Sequence, residues 1–294
     1  MTYTTIAIIY NPNSTGSSKQ LAKEFADKVQ QQLPKQKIEL IATTHAGHAE
    51  ELAYTLSKKS KRPLIISSSG DGGYNEVVNG ALKAQEEGHH PTTGLLPAGN
   101  ANDHFNNLHN DDLVDLIVDG ISKKIDVLKL TYTADGKENV RYAHSYIGLG
   151  LTSVVGNELN KKKLNLLNEV WIVASALLKV RSIKLKIGKK AHHYYSVVFS
   201  NVDQMSKYLK ISKPSRVTDG KFEVTIFRRS SKLKLILLLL KASVVNLKED
   251  ARVSSFTLQT IKPTLVQADG EIFTVDAHSR VTVTAEKQLL NCIV

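Results

Sequence analysis

The sequence predicts two domains: an α/β domain built on a parallel sheet, then a mostly antiparallel β-sandwich. Three observations carry this. Over roughly the first 120 residues, β-branched apolar runs alternate with stretches of helical periodicity. A polar, glycine-bearing loop follows three of those runs. After about Ile125 the helical stretches give way to short strands joined by polar turns. Repeated strand–loop–helix units place helices on both faces of a parallel sheet.

The first unit is TIAIIY, the loop NPNSTGSS (11–18) and KQLAKEFADKVQQQL. IELIATT with HAEELAYTLSKK forms the second; PLIISSS, the loop GDGG and NEVVNGALKAQEE form the third. TTGLLPAG and DDLVDLIVDG make the fourth. Beyond Ile125, IDVLKLTY, VRYAHSYIGLG, IKLKIG, HYYSVVFS, KFEVTIF, SSFTLQT, PTLVQADGEIF and SRVTVTAE read as strands. One helix is predicted among them, roughly over 165–179. The expected domains are therefore 1–125 and 126–294, the C-terminal end being free to return to the first.

Composition narrows the function classes. The 294 residues carry a formal charge of +11, which favours anionic partners: nucleic acid, acidic phospholipid or a phosphorylated substrate. Nine Lys or Arg against two Glu lie between Gly156 and Lys190, a net +7. The single cysteine, Cys292, excludes an intrachain disulfide and a multi-cysteine metal site. The N-terminus MTYTTIAIIYNP has no basic region before its apolar stretch, so no export signal is expected. The longest apolar run, LILLLL (235–240), is far too short to span a bilayer.

In open parallel sheets ligands collect at the carboxyl ends of the strands, where all three unusual loops fall. The glycines of SSSGDGGYNEVVNG (67–80) allow close backbone approach, and amides at a helix start suit a phosphate. There is no GxxxxGK[ST], and GDGG lacks the spacing of a dinucleotide fingerprint. Asp71 reads in two ways, as an organiser of Mg²⁺ among phosphates or as an acceptor of backbone hydrogen bonds in a tight turn. NPNSTGSS and GLLPAGNAND, on the same sheet edge, point to one nucleotide-sized cleft. ADGE (268–271) reads on its own as a hairpin turn. His45 and His48 read as exposed residues at a helix start, and adjacent His192 and His193 point opposite ways on a strand.

Together, NPNSTG, SGDGGYNEVVNG, PAGNAND, TDGKFEV and ADGE resemble the motif series of the diacylglycerol kinase catalytic fold, over almost the whole chain. That fold includes sphingosine kinases and bacterial soluble lipid kinases, and its GDG element is shared with NAD kinases. The resemblance implies an ATP- and Mg²⁺-dependent kinase acting on a lipid alcohol such as diacylglycerol. It implies nucleotide contacts at Asn11, Ser14, Gly16, Thr43, Ser69, Gly70, Asp71, Gly72, Gly73, Tyr74, Asn75 and Asn100. It makes Glu271 the proton acceptor, with Asp269 beside it and Asp71 organising magnesium. It also implies a structural Mg²⁺ loop, with Asp219 as the side-chain ligand and the carbonyls of Arg216 and Lys221 adjacent.

The chain departs from the family pattern at three loop positions. Ser69 stands for the first glycine of GGDG, Gly73 for the following threonine, and Asn100 for the threonine of PxGT. A catalytically weakened nucleotide- or membrane-binding homologue, or an NAD kinase-like enzyme with a soluble acceptor, is the competing expectation. The expected partners are a lipid at the membrane surface and anionic headgroups; a homodimer is left open and no nucleic acid is expected. The corresponding location is cytoplasmic, peripheral to the membrane.

Overall fold

The computed structural model describes residues 3–14, 17–109, 111–151, 181–205, 209–210, 216–242 and 244–294. Gly16, the predicted helix near 165–179 and the basic residues Lys161 to Lys163 and Lys179 lie outside the described residues. The chain divides into two compact units, Met1–Ile125 with Gln288–Val294, and Asp126–Lys287.

In the first unit, β1 (Thr5–Tyr10), β2 (Ile38–Ala42), β3 (Pro63–Ser69) and β4 (Thr92–Pro97) pair in parallel in the order β2-β1-β3-β4. Cys292, near the C-terminus, extends this sheet by pairing in parallel with Thr93. Burial explains the run PLIISSS: β3 is buried at every residue because strands flank it on both sides. The helices are α1 (Ser18–Gln32), α2 (His48–Lys59), α3 (Asp71–Glu86), α4 (Asp103–Leu108) and α5 (Leu113–Asp119). α1 and α5 bury Phe25, Val29, Leu116 and Ile117 with Ile6, Ile8, Leu64 and Ile66 of the sheet.

Two details depart from the helical reading of the sequence. α3 starts at Asp71, four residues before the predicted Asn75, so Gly72 and Gly73 form its first turn. Glycine in a helix costs roughly 1 kcal/mol against alanine. At 73 a side chain has no room, since a Cβ would lie 2.6 Å from the Ser69 hydroxyl. The glycine that ends NEVVNG is also explained by contact: a Cβ on Gly80 would stand 2.2 Å from the Glu50 carbonyl oxygen on α2. α3 and α2 pack backbone to backbone there.

His109, after α4, stacks on Phe105 at 4.3 Å between ring centroids. Burial pushes its imidazole pKa down to about 4, so the folded state prefers it neutral. The unfolded chain then binds more protons below the ordinary histidine value. This contribution is fully present above pH 6.5 and is lost as pH falls toward about 4. Urea midpoints measured across that window should fall less steeply for His109→Phe than for the parent, the gap reaching at most about 3 kcal/mol. Parallel curves would contradict the assignment.

The second unit contains β5 (Lys123–Ala134, entering from the first unit), β6 (Lys137–Ala143), β7 (Tyr146–Gly150), β8 (Ile183–Ile187) and β9 (Lys190–Ser200). β10 (Gln204–Met205), β11 (Leu209–Lys210), β12 (Phe222–Arg228) and β13 (Ala251–Val253) follow. β14 (Ser255–Thr260), β15 (Thr264–Ala268), β16 (Glu271–Val275) and β17 (Arg280–Cys292) complete it, β17 leaving into the first unit. Its main ladder, β16-β15-β7-β9-β8-β14-β17, is antiparallel throughout, matching the expected β-rich second half. Phe199, Phe222, Val224, Val266 and Val281 lie in its core. LILLLL forms the middle of α6 (Lys232–Ala242).

Candidate functional site

The three loops singled out by the sequence are tied to one another at the carboxyl ends of β1, β3 and β4. The Ser14 hydroxyl donates to the Ala98 carbonyl at 3.1 Å, joining the first loop to the fourth. The Ser18 hydroxyl donates to the Ser68 carbonyl, and the Ser68 hydroxyl donates back to the Ser18 carbonyl at 2.9 Å. Gly70 and Gly99 meet without side chains: a Cβ on Gly99 would lie 2.3 Å from the Gly70 Cα. Glycine is required at both positions because two loop backbones occupy the space.

Asp71 holds the same junction. Its two carboxylate oxygens accept from the amides of Asp103 and His104, each at 3.0 Å, capping α4 from a distance. It is buried and lies outside the lining of the cleft. The carboxylate accepts backbone hydrogen bonds, but from α4 and not within a turn of its own loop.

Beside the junction opens a cleft of about 390 Å³, within the range of small-molecule sites. Asn11, Ser14, Thr43, Ser69, Gly70 and Gly73 line it, so six residues expected from sequence converge there. Gly72, Tyr74, Asn75 and Asn100 are not in the lining. The Tyr74 hydroxyl bonds to that of Thr93 at 3.0 Å, and the Asn75 side-chain oxygen accepts from Asn79 at 2.9 Å; both residues are fully buried. Asn100 is exposed.

Among the described residues, no lysine or arginine lines the cleft. The N-terminus of α3, where backbone amides lack helical partners, contributes partial positive charge at its edge. Glu76 also lines it, its two oxygens accepting from the amides of Gly47 at 3.1 Å and Ala49 at 3.2 Å. The sequence suggested that Glu76 starts its own helix; instead it caps the neighbouring one. His45 and Thr44 complete the rim, and His45 stacks on His48 at 4.7 Å.

Ser69 and Gly73 are a matched pair. Ser69 occupies the space a side chain at 73 would need, with its Cβ 2.7 Å and its hydroxyl oxygen 2.6 Å from that position. The hydroxyl that the family pattern places at 73 is absent, and the Ser69 hydroxyl fills that space while donating to the Gly70 carbonyl at 2.9 Å. It also bonds to the Ser67 hydroxyl at 2.7 Å.

In the second unit, ADGE is a two-residue hairpin between β15 and β16, with Asp269 and Gly270 both at positive φ, 44° and 94°. This is the turn that Asp-Gly favours. Asp269 is fully buried and accepts from the amides of His144 at 2.5 Å, Ser145 at 3.1 Å and Tyr146 at 2.8 Å. Those bonds fix the turn before β7 and make Asp269 a structural carboxylate. Glu271 is its accessible neighbour, with 37% of the side chain exposed. Arg141 on β6 grips it through Nε at 2.8 Å and Nη2 at 2.5 Å, both to Oε2. Arg141 lies 130 residues away in the chain, and nothing in the local sequence signals the pairing.

The loop expected to hold a structural Mg²⁺ contains its own cation. Arg252 pairs with the Asp219 carboxylate and approaches Glu223 at 3.2 Å. Asp219 also accepts from the Lys221 amide at 3.1 Å, and the Gly220 amide donates to Asp126 at 2.6 Å. Arg216 is exposed. With a guanidinium already against the one side-chain ligand, these residues do not fit a divalent cation.

A cleft at the carboxyl ends of a parallel sheet, joined in sequence to an antiparallel unit bearing an accessible acid, defines a kinase-type α/β plus β fold. Residues 5–130 match the model of the diacylglycerol kinase catalytic domain. The chain is 24% identical over 243 residues to a diacylglycerol kinase of Bacillus subtilis, covering 78% of this chain and 75% of that one. It is 27% identical over 245 residues to one of Staphylococcus carnosus, covering 78% and 74%. Among solved structures, a diacylglycerol kinase from Bacillus anthracis superposes with a TM-score of 0.72 at 17% identity, covering 100% and 97% of the two chains. Yeast NADH kinase complexed with NADH superposes at 0.54 with 10% identity, covering 99% and 83%. These superpositions establish the fold.

Proposed function

We propose that this protein is an ATP- and Mg²⁺-dependent lipid kinase that transfers the γ-phosphate to the hydroxyl of diacylglycerol or a similar lipid alcohol. The observation that carries the reading is the convergence of the loops after β1, β2 and β3 on one cleft built from hydroxyls and helix-start amides, with the loop after β4 tied against them through Ala98 and Gly99. In this reading residues 1–125 bind nucleotide and 126–294 receive the lipid, at the cytoplasmic face of a membrane.

Amides at the start of α3 and the hydroxyls of Ser14, Thr43 and Ser69 hold the phosphates. Asp71 acts as a positioning residue: by capping α4 it keeps the PAGNAND loop against the GDGG turn. Among the described residues no three His, Cys, Asp or Glu cluster as a metal cage. Magnesium would arrive with the nucleotide and, when bound, would neutralise charge on the phosphates. Glu271 accepts the proton of the lipid hydroxyl as that oxygen bonds to the γ-phosphorus and the bond to the ADP oxygen breaks. Arg141, bonded to Oε2 through Nε and Nη2, fixes the orientation of that carboxylate.

The test is transfer of labelled phosphate from ATP to a panel of diacylglycerol, sphingoid base, polyprenol and NAD. Labelled lipid supports the reading. Label on NAD alone, or on nothing while nucleotide binds, overturns it.

A further inference from the structure

We propose that α6 and the turn after it form a docking surface for a bilayer carrying anionic phospholipid. The proposal deepens the lipid-kinase reading and takes from it only the identity of the acceptor. The evidence lies in the second unit alone.

α6 has apolar residues on two faces. Leu235 and Ala242 are buried, and Ile236 and Leu239 partly buried, against Tyr146, Tyr195, Val198 and Phe227. That packing accounts for the helix, since a water-facing helix needs only one apolar stripe. Yet Leu233, Leu237 and Leu238 are 66%, 56% and 37% exposed, and Val244 and Val245 beyond the helix are 72% and 52% exposed. Five of the ten exposed large hydrophobics among the described residues thus fall within 13 positions. A concentration of this kind marks an interaction surface.

Charge identifies the occupant. Between 228 and 248 lie Arg228, Arg229, Lys232, Lys234, Lys241 and Lys248, with no aspartate or glutamate. Arg228 is paired with Asp250 at 2.7 Å, leaving a rim that is still strongly basic. An apolar patch ringed by lysine fits the boundary between acyl chains and anionic headgroups. A second copy of this chain would set one basic rim against another. The helix lies on the surface: no helix among the described residues is long and apolar enough to cross a membrane.

The experiment is co-sedimentation of the full chain with phosphatidylcholine vesicles, with and without about one third phosphatidylglycerol. Leu233→Ser/Leu237→Ser should lower partitioning about tenfold or more. Lys232→Gln/Lys234→Gln should weaken binding to the anionic vesicles and flatten its salt dependence, with little effect on pure phosphatidylcholine. All four residues are exposed, and thermal unfolding confirms that each variant is folded. Folded variants that partition like the parent overturn the proposal. So does a parent dimer that the leucine variant dissolves while vesicle binding stays unchanged. Transfer to a monomeric short-chain diacylglycerol separates the two readings. If it is absent while the leucine variant still loses vesicle binding, the kinase reading falls and the docking surface stands.

Discussion

Glu271→Gln is expected to lower phosphate transfer by about two to four orders of magnitude while nucleotide affinity changes less than about twofold. The amide keeps the size of the side chain and an oxygen that Arg141 can hold. What it loses is the ability to take a proton. Asp269 cannot substitute, because its carboxylate is fully buried and engaged by three backbone amides. Replacing Asp269 by Asn should therefore act on folding, leaving buried amides poorly satisfied, and appear as a lower unfolding midpoint. Single-turnover transfer and nucleotide titration on the same Glu271→Gln preparation check the claim. Turnover like that of the parent would remove Glu271 from the chemistry.

The second large effect is conditional. Gly73→Thr alone places its Cβ 2.6 Å from the Ser69 oxygen. It should destabilise the fold by about 1–3 kcal/mol through overpacking. Ser69→Gly alone removes the cleft's hydroxyl at that spot and should weaken nucleotide binding about tenfold, the worth of one hydrogen bond. The double variant moves the hydroxyl from 69 to 73 and relieves the clash at once. It should recover both stability and affinity, with a coupling energy of about 1–3 kcal/mol in a double-mutant cycle. Additive effects would show that the two residues do not share one space. In this account the unusual SGDGG keeps the hydroxyl of the family pattern by supplying it from the strand end.

How legible the molecule was depends on whether a signal is local. The βα units of the first half could be read because each strand, loop and helix carries its own periodicity. The antiparallel second half was legible as a class, since short alternating runs leave few other packings. The cleft was partly legible because its loops end three strands of one parallel sheet, and topology alone brings such ends together. Side-chain destinations were not. Asp71 and Tyr74 sit inside the same motif as Ser69 and Gly73, yet they bond to partners on α4 and β4. Arg141 against Glu271 and Arg252 against Asp219 are cross-strand or cross-loop pairs, invisible to spacing. LILLLL was readable as too short to span a membrane. That both faces of its helix are apolar emerges only when one of them is seen to be covered.

Calorimetric titration of the full chain with magnesium ATP, repeated on the Ser69→Gly variant, decides whether these loops hold nucleotide phosphates. The account predicts saturable binding at submillimolar nucleotide, weakened about tenfold by the loss of that one hydroxyl. Absence of heat at millimolar nucleotide, or binding indifferent to Ser69, would contradict it.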